Sequence, residues 1–227
     1  MMICMYELLP KIDCTLCPRL KSFIDENRKK FPDQYNAPVP SFGLQNAELL
    51  IVGLAPGLKG ANFSGRPFTG DYAGDLLYGT LLKFGFAKGE YKAQKDDGLE
   101  LINARITNAV KCVPPQNKVT GEEINTCLQF LKTEIATLPK LKIILSLGLV
   151  SHNAVLKATG HKQSTFKFGH CSKHDLGNNL ILIDSYHCSR YNTNTGRLTT
   201  EMFDNVFNTI KEILNIDKTG YKVIKGQ

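Results

Sequence analysis

Three runs, Glu48-Leu49-Leu50-Ile51-Val52, Leu141-Lys142-Ile143-Ile144-Leu145-Ser146-Leu147 and Leu180-Ile181-Leu182-Ile183, are apolar at nearly consecutive positions rather than at every second one. A strand with that pattern is buried on both faces. Amphipathic segments at helical spacing separate the runs, as in Ile124, Cys127, Leu128, Leu131, Ile135 and Leu138. Strands alternating with helices, and covered on both faces, predict an α/β fold with a parallel sheet between two helical layers. Ligands of such sheets bind at the carboxyl ends of the strands.

The remaining elements follow the same logic. Residues 14–30 read as a helix with Leu16, Leu20, Phe23 and Ile24 on one side, and residues 31–47, with four prolines, as an ordered coil. A helix is expected to start near Gly74, and residues 101–110 read as a strand after a polar, loop-like stretch at 87–99. Thr120-Gly121-Glu122-Glu123 is a capping box that opens the next helix. A short helix is expected at 149–158, a polar loop with a candidate hairpin at 160–178, and a last helix at 199–215. All 227 residues read as one domain, with a loose basic tail from Asp217, the last ten residues (218–227) being the most flexible.

Between the first strand and its helix lies Gly53-Leu54-Ala55-Pro56-Gly57-Leu58-Lys59-Gly60, running on to Phe68-Thr69-Gly70-Asp71-Tyr72-Ala73-Gly74. Glycines there let backbone approach a ligand closely. No Gly-Lys-Ser/Thr closes the loop, so it is not a P-loop. Two other polar segments end strands: Thr107-Asn108 before Lys111-Cys112-Val113-Pro114-Pro115, and His187-Cys188-Ser189-Arg190. The fold predicts that all three converge. Each residue also has a plainer reading: Phe68 as a core aromatic, Asp71 as the cap of the next helix, Asn108 and His187 as groups satisfying local backbone.

A net charge of +7 favours a polyanionic partner. No apolar run is long enough to span a membrane, and the N-terminus lacks the basic region and apolar core of a secretory signal. The expected location is cytoplasmic, where seven cysteines do not form a disulfide framework. Cys14 and Cys17 form a Cys-x2-Cys pair, and Cys112 and Cys127 stand farther apart downstream. Four thiolates suit zinc or an iron–sulfur cluster, and the loose second pair suits the larger cluster. Cys4, Cys171 and Cys188 are left over. His170-Cys171-Ser172-Lys173-His174 raises a second metal site, although its irregular spacing reads as a solvated loop.

The segments GLAPGLKGANFSGRPFTGD, TNAVKCVPPQN and HCSRYNTNTGRLT, with the four spaced cysteines, resemble the uracil-DNA glycosylase superfamily, its iron–sulfur branch, and within it family five (type B). The resemblance implies a three-layer α/β/α fold with a central four-stranded parallel sheet. It also implies a structural [4Fe–4S] cluster on Cys14, Cys17, Cys112 and Cys127, no catalytic metal, and removal of uracil, with hypoxanthine and other deaminated bases in range. The partner is then DNA carrying such bases, the location nucleoid-associated, and the expected state monomeric.

On the matching residues, Gly53, Ala55, Gly57, Phe68, Asn108, His187 and Ser189 form the base pocket. Phe68 stacks on the extruded base and the Asn108 amide pairs with its N3–H and O4. His187 donates to O2, and Asp71 orients water or stabilises the positive sugar. Family-four enzymes carry their acid immediately after the first glycine, where this chain has Leu54. Arg190 and Tyr191 stand where the superfamily inserts a wedge, and Arg197 can reach a phosphate. Cys188 replaces the usual proline, which frees a backbone dihedral and suggests an oxidation-sensitive thiol. The competing readings are a nucleotide-hydrolysing α/β enzyme with the glycine loop around phosphate, and a non-catalytic iron–sulfur DNA-binding module.

Overall fold

In the computed structural model, which describes residues 9–216, the order of elements is α1 (Pro18–Lys30), β1 (Phe42–Gly43), β2 (Leu49–Gly53), α2 (Ala61–Ser64), α3 (Tyr72–Lys83), β3 (Ala87–Lys88), β4 (Glu100–Leu101), β5 (Ala104–Asn108), α4 (Gly121–Thr137), β6 (Ile143–Leu147), α5 (Leu149–Ala158), β7 (Lys173–Asp175), β8 (Ile181–Ser185), α6 (Arg190–Asn194) and α7 (Thr200–Leu214). Cys4 and the tail from Asp217 lie outside the described residues.

Strands β5, β2, β6 and β8 form the expected parallel core. Short antiparallel strands extend it at both edges, β1 beside β5 and β7 beside β8, so the sheet has six strands. The near-continuous apolar runs have the predicted cause. Leu49 and Ile51 face a core shared with Leu77, Leu81, Phe203 and Phe207 of α3 and α7. Leu50 and Val52, on the opposite face, pack with Leu131, Val155 and Leu156 of α4 and α5.

Several boundaries differ from the sequence expectation. Helix α1 starts at Pro18, because a proline disfavours helical backbone in the residue before it. Leu16 is therefore left outside the helix, half exposed. The strand expected over 101–110 is interrupted by Asn103, whose φ is +51°. Its side chain accepts from the Glu48 N–H and donates to Glu48 Oε2, each within 3 Å, which holds the turn. Glu100–Leu101 then pairs with Ala87–Lys88 in a separate two-stranded ribbon around the polar excursion. The hairpin in 160–178 is β7, turning through Gly177 into β8.

The capping box forms as read: Glu123 N–H donates to Thr120 Oγ1 at 3.2 Å, and Thr120 N–H to Glu123 Oε2 at 2.8 Å. The same carboxylate takes two bonds of 2.7 Å from Arg19, which ties α1 to α4.

Candidate active site

A cleft of about 580 Å³ opens over the carboxyl ends of the parallel strands. The three polar segments converge there: Ala55, Gly57, Phe68, Asp71, Asn108, His187, Ser189 and Arg190 all line it. Gly53 does not line the cleft but shapes it. It pairs in register with Asn108 across β2 and β5. A Cβ on Gly53 would lie 2.4 Å from Asn108 Oδ1 and 2.6 Å from the Phe68 ring. Glycine is what lets the amide and the ring approach the strand end.

Phe68 is at once core residue and cleft wall. It is buried, belongs to the core beneath α3, and stacks on His187 with centroids 6.1 Å apart and 30° between planes. Its φ of +53° is unusual for a bulky residue. The turn that carries it is held at successive carbonyls. Tyr78 Oη donates to Pro67 O at 2.6 Å, Tyr91 Oη to Phe68 O at 3.2 Å and Ser64 Oγ to Thr69 O at 3.0 Å. Arg66 Nε donates to Thr69 Oγ1 at 2.7 Å, and its guanidinium forms a two-pronged pair with Asp97 at 2.8 and 2.7 Å. Both side chains of that pair are buried, and the guanidinium also lies over the Phe42, Tyr78 and Tyr91 rings. The polar 87–99 excursion, which reads as a plain loop, thus supplies two braces of the site, Tyr91 and Asp97. No local pattern announces them, because their partners lie 23 and 31 residues away.

Asp71 caps α3, accepting from Gly74 N–H at 3.0 Å, and it also lines the cleft. The cap reading therefore holds, and the same residue stands in the cleft. Desolvation by burial raises its pKa above the usual aspartate range, against the cap hydrogen bond that lowers it. The glycines of the preceding loop make room for this carboxylate. A Cβ at Gly60 would sit 2.5 Å from Asp71 Oδ2, and one at Gly57 3.3 Å. A carboxylate packed against the loop backbone disfavours a phosphate in the same place, so the geometry weighs against a phosphate cradle.

His187 follows β8 on a segment that passes close to Gly148, where an added Cβ would meet His187 Cβ at 3.6 Å. Burial lowers its pKa below the ordinary histidine value, which favours the neutral ring. Cys188 corrects an expectation. It is fully buried, its Sγ lies 3.5 Å from Ala73 O as a donor, and burial pushes the thiol pKa up. A protonated, inaccessible thiol is a poor target for oxidants.

Arg190 stands at the rim with its guanidinium 5.2 Å from the centroid of the exposed Tyr72 ring. Tyr191 projects into solvent, and Arg197 packs over Tyr186 at 4.8 Å. Neither Tyr191 nor Arg197 lines the cleft, whereas Tyr72 does and was not anticipated.

Cys14, Cys17, Cys112 and Cys127 line one small cavity between α1 and α4. Burial raises the Cys17 thiol to about 11, and the neighbouring sulfurs of Cys127 and Cys14 push it the same way. Among the described residues, the group of three metal-ligating atoms drawn within 4.8 Å of one another lies elsewhere. No helix among the described residues is long and apolar enough to cross a membrane.

Fold and cleft together define a three-layer α/β/α protein with a nucleotide-sized pocket over a parallel sheet, walled by a ring, an amide, an imidazole and a carboxylate. Known sequences supply the family. The profile of the uracil DNA glycosylase superfamily matches residues 40–211, and the chain belongs to that superfamily. It is 38% identical over 208 residues to the type-5 uracil-DNA glycosylase of Thermus thermophilus, covering 89% of this chain and 94% of that one. It is 37% identical over 194 residues to the type-5 enzyme of Pyrobaculum aerophilum, covering 84% of each. A type-4 uracil-DNA glycosylase from Pyrobaculum aerophilum is 36% identical over 125 residues, 55% of this chain and 56% of that one.

Proposed function

We propose that the chain is a DNA N-glycosylase of base-excision repair, which extrudes uracil from DNA and hydrolyses its bond to the sugar, leaving an abasic site. The observation that carries this reading is the gathering of Phe68, Asp71, Asn108 and His187 in one cleft. Phe68 gives the extruded base a stacking face. The Asn108 amide accepts from uracil N3–H and donates to O4, with Gly53 and the strand register limiting how it can turn. A neutral His187 donates to O2, where negative charge grows as the base leaves. A preorganised donor at such a position contributes ~3 kcal/mol to the transition state. The Asp71 carboxylate orients water towards C1′ or offsets the positive charge of the sugar. Its hydrogen bond from Gly74 N–H fixes its direction.

The rim completes the interface with DNA. Either Arg190 or Tyr191 is the wedge that fills the gap in the stack, and Arg197 contacts a phosphate. Ser189 caps α6, accepting from Asn192 N–H, and keeps this rim in place. The net charge of +7 supports a polyanionic partner. The proposed range includes other deaminated bases such as hypoxanthine, and the proposed state is a nucleoid-associated monomer.

Cys14, Cys17, Cys112 and Cys127 would hold a [4Fe–4S] cluster. Support comes from four cysteines gathered around one small cavity, with the loose sequence spacing of Cys112 and Cys127. The group would tie the segment before α1 to α4, a structural task apart from the cleft.

The deciding assay uses a uracil-bearing oligonucleotide followed by alkaline strand cleavage, with hypoxanthine in a parallel strand. Abasic product from the uracil strand is expected. No product at any temperature would overturn the reading. Iron and acid-labile sulfide in near-equal amounts are expected in the purified protein, and stoichiometric zinc on the cysteines in their place would refute the cluster.

A further inference from the structure

The histidine once read as part of a solvated loop, His174, lies in a buried group with residues from two other elements. His152 comes from the first turn of α5, His174 from β7 and Asp184 from the end of β8, with side chains 1%, 10% and 0% exposed. One ligand atom of each lies within 4.8 Å of the others, and the two rings are 5.3 Å apart at 67°. His152 Nδ1 faces Asp184 Oδ1 at 2.8 Å, and His174 Nε2 faces Asp184 Oδ2 at 2.8 Å.

The other ring nitrogen of His152 makes this group unusual. Nε2 lies 3.1 Å from Phe166 O, an acceptor only, so Nε2 carries the hydrogen. In a neutral ring Nδ1 is then a lone pair, and it points at a carboxylate oxygen. Two acceptors in contact repel, and the buried carboxylate itself calls for positive charge. A metal ion between Nδ1 and the carboxylate removes that clash and meets the carboxylate's charge. Two imidazole nitrogens and a carboxylate form a donor set for zinc and its neighbours among divalent transition metals.

The surroundings match such a centre. A ligating histidine commonly gives its outer N–H to a backbone carbonyl, as His152 does to Phe166, and a ligating carboxylate is itself hydrogen-bonded. Here Ser146 Oγ donates to Asp184 Oδ1 at 2.7 Å, and Gly169 N–H approaches Oδ2 at 3.4 Å. Phe166 and Phe168 pack edge-on against the histidine rings and shield the group from water. We propose that His152, His174 and Asp184 bind one divalent transition-metal ion, of which zinc is the reference case. The ion would clasp α5, the edge strand β7 and the end of β8. None of the three residues lines the catalytic cleft, so the task is structural.

The test uses the purified protein with its iron retained, freed of loosely held divalent ions by a mild chelator. Wild type, His152→Gln and His174→Gln are titrated with Zn2+, and metal per chain is read by elemental analysis beside the melting temperature. Wild type is expected to take up one further equivalent at micromolar concentration or below, and to melt higher for it. Both variants should lose that uptake while iron content and uracil excision stay unchanged. Co2+ in the same place should show ligand-field bands without thiolate charge transfer, which separates this group from the cysteines. Should His152→Gln fail to fold, His174→Gln on the edge strand decides alone. Equal zinc uptake by wild type and variant, or no uptake by wild type, overturns the proposal.

Discussion

Gly53 and Asn108 are register partners at the ends of two parallel strands, and an added Cβ on Gly53 would sit 2.4 Å from Asn108 Oδ1. The amide is aimed into the cleft partly by the absence of a side chain on the strand beside it. Gly53→Ala should push both Asn108 and the Phe68 ring aside. A misplacement of about 1 Å costs roughly a hundredfold in rate. Single-turnover excision of uracil should fall by about that factor, with a much smaller loss of DNA affinity. A wild-type rate would mean that the two side chains need no such placement.

Asp71 caps α3 and is proposed to act in the reaction, and two substitutions separate the two tasks. Asparagine caps a helix about as well as aspartate, whereas alanine costs ~1 kcal/mol at such a position. Asp71→Asn should therefore keep the melting temperature and lose turnover by at least about a hundredfold, while Asp71→Ala loses both. If Asp71→Asn excises uracil at the wild-type rate, the carboxylate is only a cap. Because burial raises this pKa, the folded state holds its proton to higher pH than the unfolded chain does. Stability is then lost as pH rises from the ordinary aspartate range through the raised value. Asp71→Asn should melt at or above wild type at pH 8, the difference closing in acid.

His187 carries the opposite sign. Its folded pKa lies below the unfolded one, so the unfolded chain takes up a proton first as pH falls. Its contribution is complete above the ordinary histidine value of about 6.5 and is lost as pH drops through the lowered folded value. Melting curves between pH 8 and pH 5 should show this slope in wild type and less of it in His187→Asn. The substitution should also slow excision by about a hundredfold, as removal of a transition-state donor does. An unchanged rate would remove His187 from the reaction.

The brace under Phe68 predicts a graded response. Asp97→Ala strands a buried guanidinium, and breaking such a pair costs about 3–5 kcal/mol. Tyr91→Phe removes only the hydroxyl that holds Phe68 O and meets Gly70 N–H. Its stability cost should be about 1 kcal/mol. Turnover of Tyr91→Phe should nonetheless drop severalfold at unchanged KM, because the ring and Asp71 sit on the turn that it pins. Equal kinetics in wild type and Tyr91→Phe would make the hydroxyl purely structural.

Much of this architecture is legible along the chain because its causes are local. Strands buried on both faces show as unbroken apolar runs, and β2, β6 and β8 fall where those runs are. The α4 capping box and the span of α5 depend on hydrogen bonds and spacing within a few residues. The convergence of the glycine loop, Asn108 and His187 follows from one rule about parallel sheets. The break at Asn103 was not legible, because its anchor, Glu48, is 55 residues away.

The sequence by itself determined which residues could stack, pair, donate and carry charge, and which ends of the sheet they would occupy. Tertiary structure alone decided how they are held. Asp71 nests against Gly57 and Gly60, Cys188 is sealed from oxidants beneath α3, and Arg66 reaches across to Asp97. His152, His174 and Asp184 meet from three separate elements. The physical reason is range: propensity, capping and burial periodicity act between near neighbours. Desolvation, close backbone approach and buried charge pairing exist only once distant segments have packed together.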